Sequence, residues 1–204
     1  MKTIKINNLS KWYSKLLVLS NVSLELFSGK CYLFIGGNGS GKSTFFKALL
    51  GVINISSGSI DKEGIIIGYV PEKIVLPNHM RVDDFLFELG KLRGVDEEKL
   101  EDIINDELKN WKMIDKRKNK IITLSKGMVQ KILIIQAILH SPDVLILDEV
   151  LNGLDISMQA KLILYIKRWK EEGKIVLVSS HYPKEYVGVV DEVFKIEEGK
   201  ISKC

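Results

Sequence analysis

LSKGMVQKILIIQAILHSPDVLILDEVLNGLD, residues 124–155, decides the architecture of this 204-residue chain. It joins three elements suited to phosphate chemistry in one helix–strand–turn unit. The first is a Ser-x-Gly helix start at Ser125 and Gly127. The second is an apolar strand, VLILDE, that ends in the paired acids Asp148 and Glu149. The third is the turn Asn152-Gly153-Leu154-Asp155, whose Asp155 also suits a helix N-cap.

Upstream, Gly36-Gly37-Asn38-Gly39-Ser40-Gly41-Lys42-Ser43 satisfies the phosphate-loop pattern G-x-x-x-x-G-K-[ST]. Glycines let such a loop curl so that successive N–H groups point inward at phosphate oxygens. Lys42 neutralises phosphate charge, Ser43 offers a hydroxyl to Mg²⁺, and the helix start adds a favourable dipole. The context agrees, because the apolar run CYLFI leads in and a helical segment leads out. Residues 36–43 together with Thr44 are the expected nucleotide-binding set. Asp148, at a strand's carboxyl end, then reaches the metal's hydration shell, and Glu149 is placed to polarise an attacking water as general base.

Residues 3–6 and 22–26 alternate apolar and polar, as half-buried antiparallel strands do. Continuous apolar strands are read at 31–35, 65–70, 144–147 and 175–179, and helices at 43–50, from Ser125, and through 160–170. Gly51 suits a C-cap of the first helix. Between Pro71 and the helix at Ser125, Val82, Phe85, Leu86 and Leu89 keep helical spacing, as do Leu100, Ile103, Ile104, Leu108 and Trp111. Residues 72–123 therefore read as a helical lobe inserted into an α/β core. A hairpin over 192–201, turning at Glu198-Gly199, closes the chain. The expected fold is α/β: a P-loop NTPase core with a mostly parallel sheet, an N-terminal antiparallel β subdomain and the inserted helical subdomain, within one domain over residues 1–204.

Composition narrows the function classes. The chain is 46% apolar and 27% charged with a net charge of +4, enough for a sizeable core beneath a solvated surface. Its mild basic excess is spread along the chain, so no nucleic-acid partner is expected. Cys31 and Cys204 make no disulfide framework and fit a reducing cytosol. No apolar run approaches the roughly 18 residues that a membrane helix needs. The N-terminal segment lacks a signal-peptide core, so any work at a membrane would go through a partner.

LSKGM at residues 124–128 resembles the signature of ABC (ATP-binding cassette) ATPases, usually written L-S-G-G-Q, with Lys126 in place of the first Gly and Met128 in place of the Gln. The form LSKGM followed by Gln130 is similar to ATP subunits of bacterial exporters for drugs, peptides and antibiotics. The resemblance spans most of the chain and implies further roles. Ser125 and Gly127 would bind the γ-phosphate of ATP held by an opposite subunit, and Asp155 would lie at the seam of that dimer. His181, after IVLVSS, matches the histidine that senses the γ-phosphate. Tyr13 sits where an aromatic stacks on adenine, with Trp12 a competitor and a plain core or surface role open. Glu72, in GYVPE, occupies the position of a Gln that approaches Mg²⁺ and brings a negative charge there instead.

The resemblance implies an ATP-hydrolysing subunit that works as an ATP-dependent, head-to-tail homodimer with Mg²⁺ beneath a separately encoded transmembrane permease, at the cytoplasmic face of the cell membrane. The segment from Glu72 to Arg93 would transmit motion to that partner. Many exporter relatives continue past the closing hairpin, so a C-terminal regulatory domain is not expected here. The alternative is a soluble ABC ATPase uncoupled from transport. A GTPase switch is set aside because Asn119-Lys120-Ile121-Ile122 lacks the Asp of a guanine-reading motif. Glu149 argues against a regulator that binds nucleotide without turnover.

Overall fold

The computed structural model describes residues 2–73, 76–181 and 183–204; Ile74 and Val75 of the expected lobe lie outside them. Its strands are β1 (Thr3–Tyr13), β2 (Leu16–Phe27), β3 (Cys31–Ile35), β4 (Ser57–Asp61), β5 (Ile67–Val70), β6 (Val144–Asp148), β7 (Ile175–Ser179), β8 (Glu192–Glu197) and β9 (Lys200–Lys203). Its α-helices are α1 (Lys42–Leu50), α2 (Val82–Leu92), α3 (Glu97–Asn110), α4 (Lys126–Ile138) and α5 (Ile156–Glu171).

Two sheets result. One is antiparallel in the order β2-β1-β4, and the other has the order β5-β6-β7-β3-β8-β9. The second is parallel from β5 through β8, and only the terminal hairpin β8–β9 is antiparallel. Strand periodicity sorts its side chains. Leu33, Leu145, Leu147, Val176 and Val178 face a core shared with α4, α5 and the lobe. Tyr32, Phe34, Val144, Ile146, Ile175 and Leu177 face the other way, into a core shared with α1 and the antiparallel sheet. Phe34 packs there against Phe45, Phe194 and Phe46, with ring centroids 5.1, 5.4 and 5.5 Å away. The central sheet is thus covered on both faces, which explains its unbroken apolar runs.

Several boundaries differ from the sequence reading. β1 runs on to Tyr13 through register shifts after Ile6, because irregular pairing carries the strand past the polar Asn7 and Asn8. β4, SGSID, was not anticipated: it has little apolar content and exists as an edge paired on β1. β5 begins at Ile67, and α5 is longer than 160–170 at both ends. Gly51 does cap α1, in a left-handed conformation with its N–H on Ala48 O and Lys47 O.

Among the described residues the lobe holds the α-helices α2 and α3 followed by 3₁₀ turns at Ile114–Lys116 and Ile121–Thr123. Asp96 caps α3 by accepting the Glu98 N–H at 3.1 Å, and Leu100, Ile104 and Leu108 bury one stripe. Trp111 is fully buried and stacks on Tyr165 of α5 at 5.0 Å, which ties the lobe to the core. A second tie is polar. Arg93 donates to Gln136 O and Oε1 of α4 at 2.6 and 2.7 Å, and Gln136 Nε2 donates to Tyr69 O of β5 at 2.7 Å.

β5 lies close against α4 at Gly68. A methyl group there would stand 2.1 Å from Ala137 O and 3.0 Å from both Leu145 and Pro142 side chains. Gly68→Ala must push strand and helix apart, at a cost of about 1–3 kcal/mol. Urea unfolding should show that loss as a lower midpoint; an unchanged midpoint would mean that the two elements separate freely.

Candidate functional site

The carboxyl ends of β3, β6 and β7 lie side by side, because β7 sits between the other two. Each leads into chemistry: β3 into the phosphate loop, β6 into the paired acids, β7 into His181. Open parallel sheets bind ligands at this edge. A cleft of about 160 Å³ opens there, lined by Gly37, Asn38, Gly39, Ser40, Gly41, Lys42, Ser43 and Thr44 with Val18, Glu72, Asp148, Glu149 and His181.

The loop is built to hold an anion. Gly41 takes φ +110° at the N-cap of α1, with the Val18 carbonyl only 3.0 Å from where a Cβ would stand. Among the described residues no side chain caps α1, and no acid occupies its first turn, so its first N–H groups are left facing the cleft. Lys42 is only 7% exposed. Its hydrogen-bond partners among the described residues are two loop carbonyls, Gly36 O at 2.7 Å and Gly37 O at 3.3 Å. A buried ammonium solvated only by carbonyls favours a bound anion. Ser40 Oγ, in the same loop, is buried and has no hydrogen-bond partner among the described residues.

The Asp148 carboxylate is held by hydroxyls. Asp148 Oδ2 accepts from Ser43 Oγ at 3.2 Å and from Tyr69 OH at 3.4 Å, while Oδ1 accepts from Ser179 Oγ at 2.5 Å. One hydroxyl and one carboxylate oxygen at the mouth of a phosphate loop suit Mg²⁺, which takes few protein ligands and fills its octahedron with phosphate and water. Among the described residues, no three His, Cys, Asp or Glu converge as a closed metal cage. Glu72 lines the cleft, but its carboxylate is half exposed and lies 3.6 Å from Lys73 Nζ.

Glu149 is 6% exposed and takes a left-handed backbone, φ +51°. That turn carries its side chain off the strand toward His181 and Asn152. Oε2 accepts the His181 N–H and Asn152 Nδ2, each at 3.3 Å. Oε1 is buried without a hydrogen-bond partner among the described residues, and His181 Nε2 lies 3.3 Å away but out of line. Burial raises the Glu149 carboxyl above its ordinary range, and His181 and Lys42 oppose that rise. A carboxyl raised by burial, with one oxygen that accepts no hydrogen bond from the described residues, is equipped beside a phosphate pocket to accept a proton from water.

Residues 19–152 match the family described as ABC transporter. The chain belongs to that family. It is 35% identical to an ABC transporter ATP-binding protein of Methanocaldococcus jannaschii, over 97% of this chain and 75% of that one. It is 37% identical to the lantibiotic transport ATP-binding protein SrtF of Streptococcus pyogenes, over 97% of this chain and 88% of that one. A solved structure of the ATP-binding subunit of an ABC transporter superposes with a TM-score of 0.92 at 26% identity, covering 98% of this chain and 89% of that one. The fold is therefore that of ABC ATPase domains, and this ABC protein is an ATPase of the P-loop class.

Not every expected site residue of this ABC ATPase lines the cleft. Gly36 is outside the lining, and its carbonyl accepts from Lys42. Tyr13 ends β1, 44% exposed, with Lys11 Nζ 4.8 Å from its ring centroid; Val18 of β2 lines the cleft instead. Ser125, Gly127 and Asp155 are also outside the lining. Ser125 Oγ caps α4 on Met128 N at 3.3 Å, and Asp155 Oδ1 caps α5 on Met158 N at 3.0 Å. A side chain at Gly127 would stand 2.9 Å from Gly153 O, so the signature packs on the Asn152–Asp155 turn of its own chain. Sequence reading missed Tyr69, Asn152 and Ser179 as partners of the acids. Each lay inside a segment that had been singled out, GYVPE, the Asn152–Asp155 turn and the run IVLVSS, but nothing there tied its side chain to a carboxylate.

Proposed function

We propose that this chain hydrolyses ATP to power an exporter, closing head to tail on a second copy beneath a separate transmembrane subunit at the cytoplasmic face of the membrane. One observation carries this reading. The cleft gathers the phosphate loop, Asp148, Glu149 and His181, while Ser125, Gly127 and Asp155 lie outside it. Ser125 and Gly127 would then serve the ATP of the opposite copy, with Asp155 at the seam. Likeness to a lantibiotic transport protein supports the exporter assignment.

In the proposed mechanism the free N–H groups of α1 and the loop grip the β- and γ-phosphates of ATP, and Lys42 turns from its carbonyl partners to them. Ser43 and Asp148 would hold Mg²⁺, which supplies charge neutralisation on the phosphates when bound. Glu149 takes the proton of the attacking water, while its second oxygen stays anchored by Asn152 and the His181 N–H. His181 stands beside the γ-phosphate and reports its presence. Tyr13 packs against adenine at the exposed end of β1, and Glu72 would help to hold Mg²⁺ from the cleft's rim.

Among the described residues, no helix is long and apolar enough to cross a membrane. The proposed coupling runs through a docked partner. A groove of about 350 Å³ in the lobe presents the half-buried Met80 and Phe87 between the charged groups Asp84, Glu88 and Lys118. It suits a short helix of the membrane subunit. Single cysteines at Met80, Asp84 and Phe87, in a background lacking Cys31 and Cys204, should crosslink in native membranes to one integral membrane protein. Crosslinks confined to Leu164 and Lys167 of α5 would move the docking face. A protein that stays wholly in the soluble fraction would replace the exporter with a soluble ATPase.

A further inference from the structure

We infer that Ser179 is a positioning residue that sets the geometry of both strand-end acids through its single hydroxyl. The inference rests on the reading that Asp148 serves the metal and Glu149 the water. Ser179 ends β7, the strand between the phosphate-loop strand and the acid-bearing strand, and it is paired in register with Asp148. It is completely buried. Its Oγ donates to Asp148 Oδ1 at 2.5 Å and accepts the Glu149 N–H at 3.0 Å.

A hydroxyl carries one proton and two lone pairs, so it can give to one acid and take from the next at once. A methyl group can do neither, and would leave a buried carboxylate oxygen and a buried N–H unpaired. Two consequences follow for the site. With Oδ1 engaged, Asp148 presents only Oδ2 to Ser43 Oγ and the cleft, 3.2 Å from that hydroxyl. With its N–H tied to Ser179, Glu149 is held in the left-handed turn that sends its carboxylate toward Asn152 and His181. One buried oxygen thereby fixes the orientation of the metal ligand and the direction of the base.

Mn²⁺ is the probe of the metal site, titrated by electron paramagnetic resonance in the presence of ATP, beside ATP binding measured calorimetrically in EDTA. Ser179→Ala removes the hydroxyl, and Ser179→Cys keeps the volume while offering only a weak donor. Both variants should bind ATP in EDTA within about two-fold of wild type, yet bind Mn²⁺ roughly 10-fold more weakly, as loss of an outer-shell partner does. At saturating Mn²⁺ their kcat should remain down by about 10-fold or more with KM for ATP little changed, because the base stays misdirected. Ser179→Thr, which keeps the hydroxyl, should recover both where its thermal midpoint shows that it folds.

Asp148→Asn is the reference for the metal assignment. If it leaves Mn²⁺ affinity intact, the reading of Asp148 is wrong and the inference falls with it. A strong effect of Asp148→Asn, with Ser179→Cys indistinguishable from wild type, overturns the role of Ser179 alone. Loss of ATP binding in EDTA by both the Ala and Cys variants would make Ser179 a packing residue and would equally overturn it.

Discussion

Glu149→Gln is expected to bind ATP normally and to hydrolyse it at least about 100-fold more slowly, the usual penalty for removing a general base. Glutamine preserves the shape of the side chain and retains an oxygen to accept from Asn152 and the His181 N–H, so the surroundings need not shift. What disappears is the basic oxygen, Oε1, that has no hydrogen-bond partner among the described residues. The fold should not suffer. Burial holds the Glu149 carboxyl above its ordinary range, so its charged form is disfavoured in the native state, and a neutral amide relieves that strain at neutral pH. Three measurements separate the possibilities: calorimetric ATP affinity, single-turnover phosphate release, and thermal midpoint. Undiminished turnover with normal ATP affinity would show that another group accepts the proton. A lower midpoint would show that the carboxylate supports the fold.

The fold was legible where burial is one-sided or complete. CYLFI, VLILD and IVLVS are strands because the sheet is covered on both faces, and their continuous apolar runs declare it. The phosphate loop was legible because glycine spacing and a Lys-Ser pair have few other uses. Pairing that depends on a neighbour was not legible. SGSID has no strand pattern of its own and is a strand only because β1 offers it an edge. The acids were visible and their supports were not, since a serine or tyrosine that bonds across strands looks like any other strand residue. The Tyr69 hydroxyl and the Ser179 hydroxyl reach Asp148 from two flanking strands, and that convergence exists only after the sheet forms.

The same limit applies to the lobe. Helical spacing announced α2 and α3, but nothing in the sequence linked Arg93 to the catalytic edge. In the folded chain Arg93 grips Gln136, Gln136 bonds Tyr69 O, and the Tyr69 hydroxyl donates to Asp148 at 3.4 Å. A polar path therefore joins the residue after α2 to Asp148 Oδ2. It runs alongside the chain from β5 to Glu72, and either connection would let a change at the cleft be felt by the lobe.

Ser125→Arg is expected to leave ATP binding to the isolated subunit within about two-fold of wild type while abolishing ATP-driven dimerisation and hydrolysis, as removal of a group that acts only on the assembled site does. Ser125 lies outside the cleft of its own chain, so an arginine there has no route to ATP held by Lys42 of the same copy. In the proposed head-to-tail dimer it would place bulk where the other copy's phosphate must approach the start of α4. The substitution also removes the cap on Met128 N, a loss of about 1 kcal/mol. Ser125→Ala supplies the control, because it loses the cap and the hydroxyl but adds no bulk. It should unfold at nearly the same midpoint as Ser125→Arg and keep partial ATP-dependent dimerisation. Gel filtration of each variant with Glu149→Gln, which is expected to trap the closed dimer, gives the readout. If Ser125→Arg as a monomer fails to bind ATP, Ser125 acts in its own site and the head-to-tail arrangement is wrong. If it dimerises and hydrolyses like wild type, the signature does not face phosphate at all.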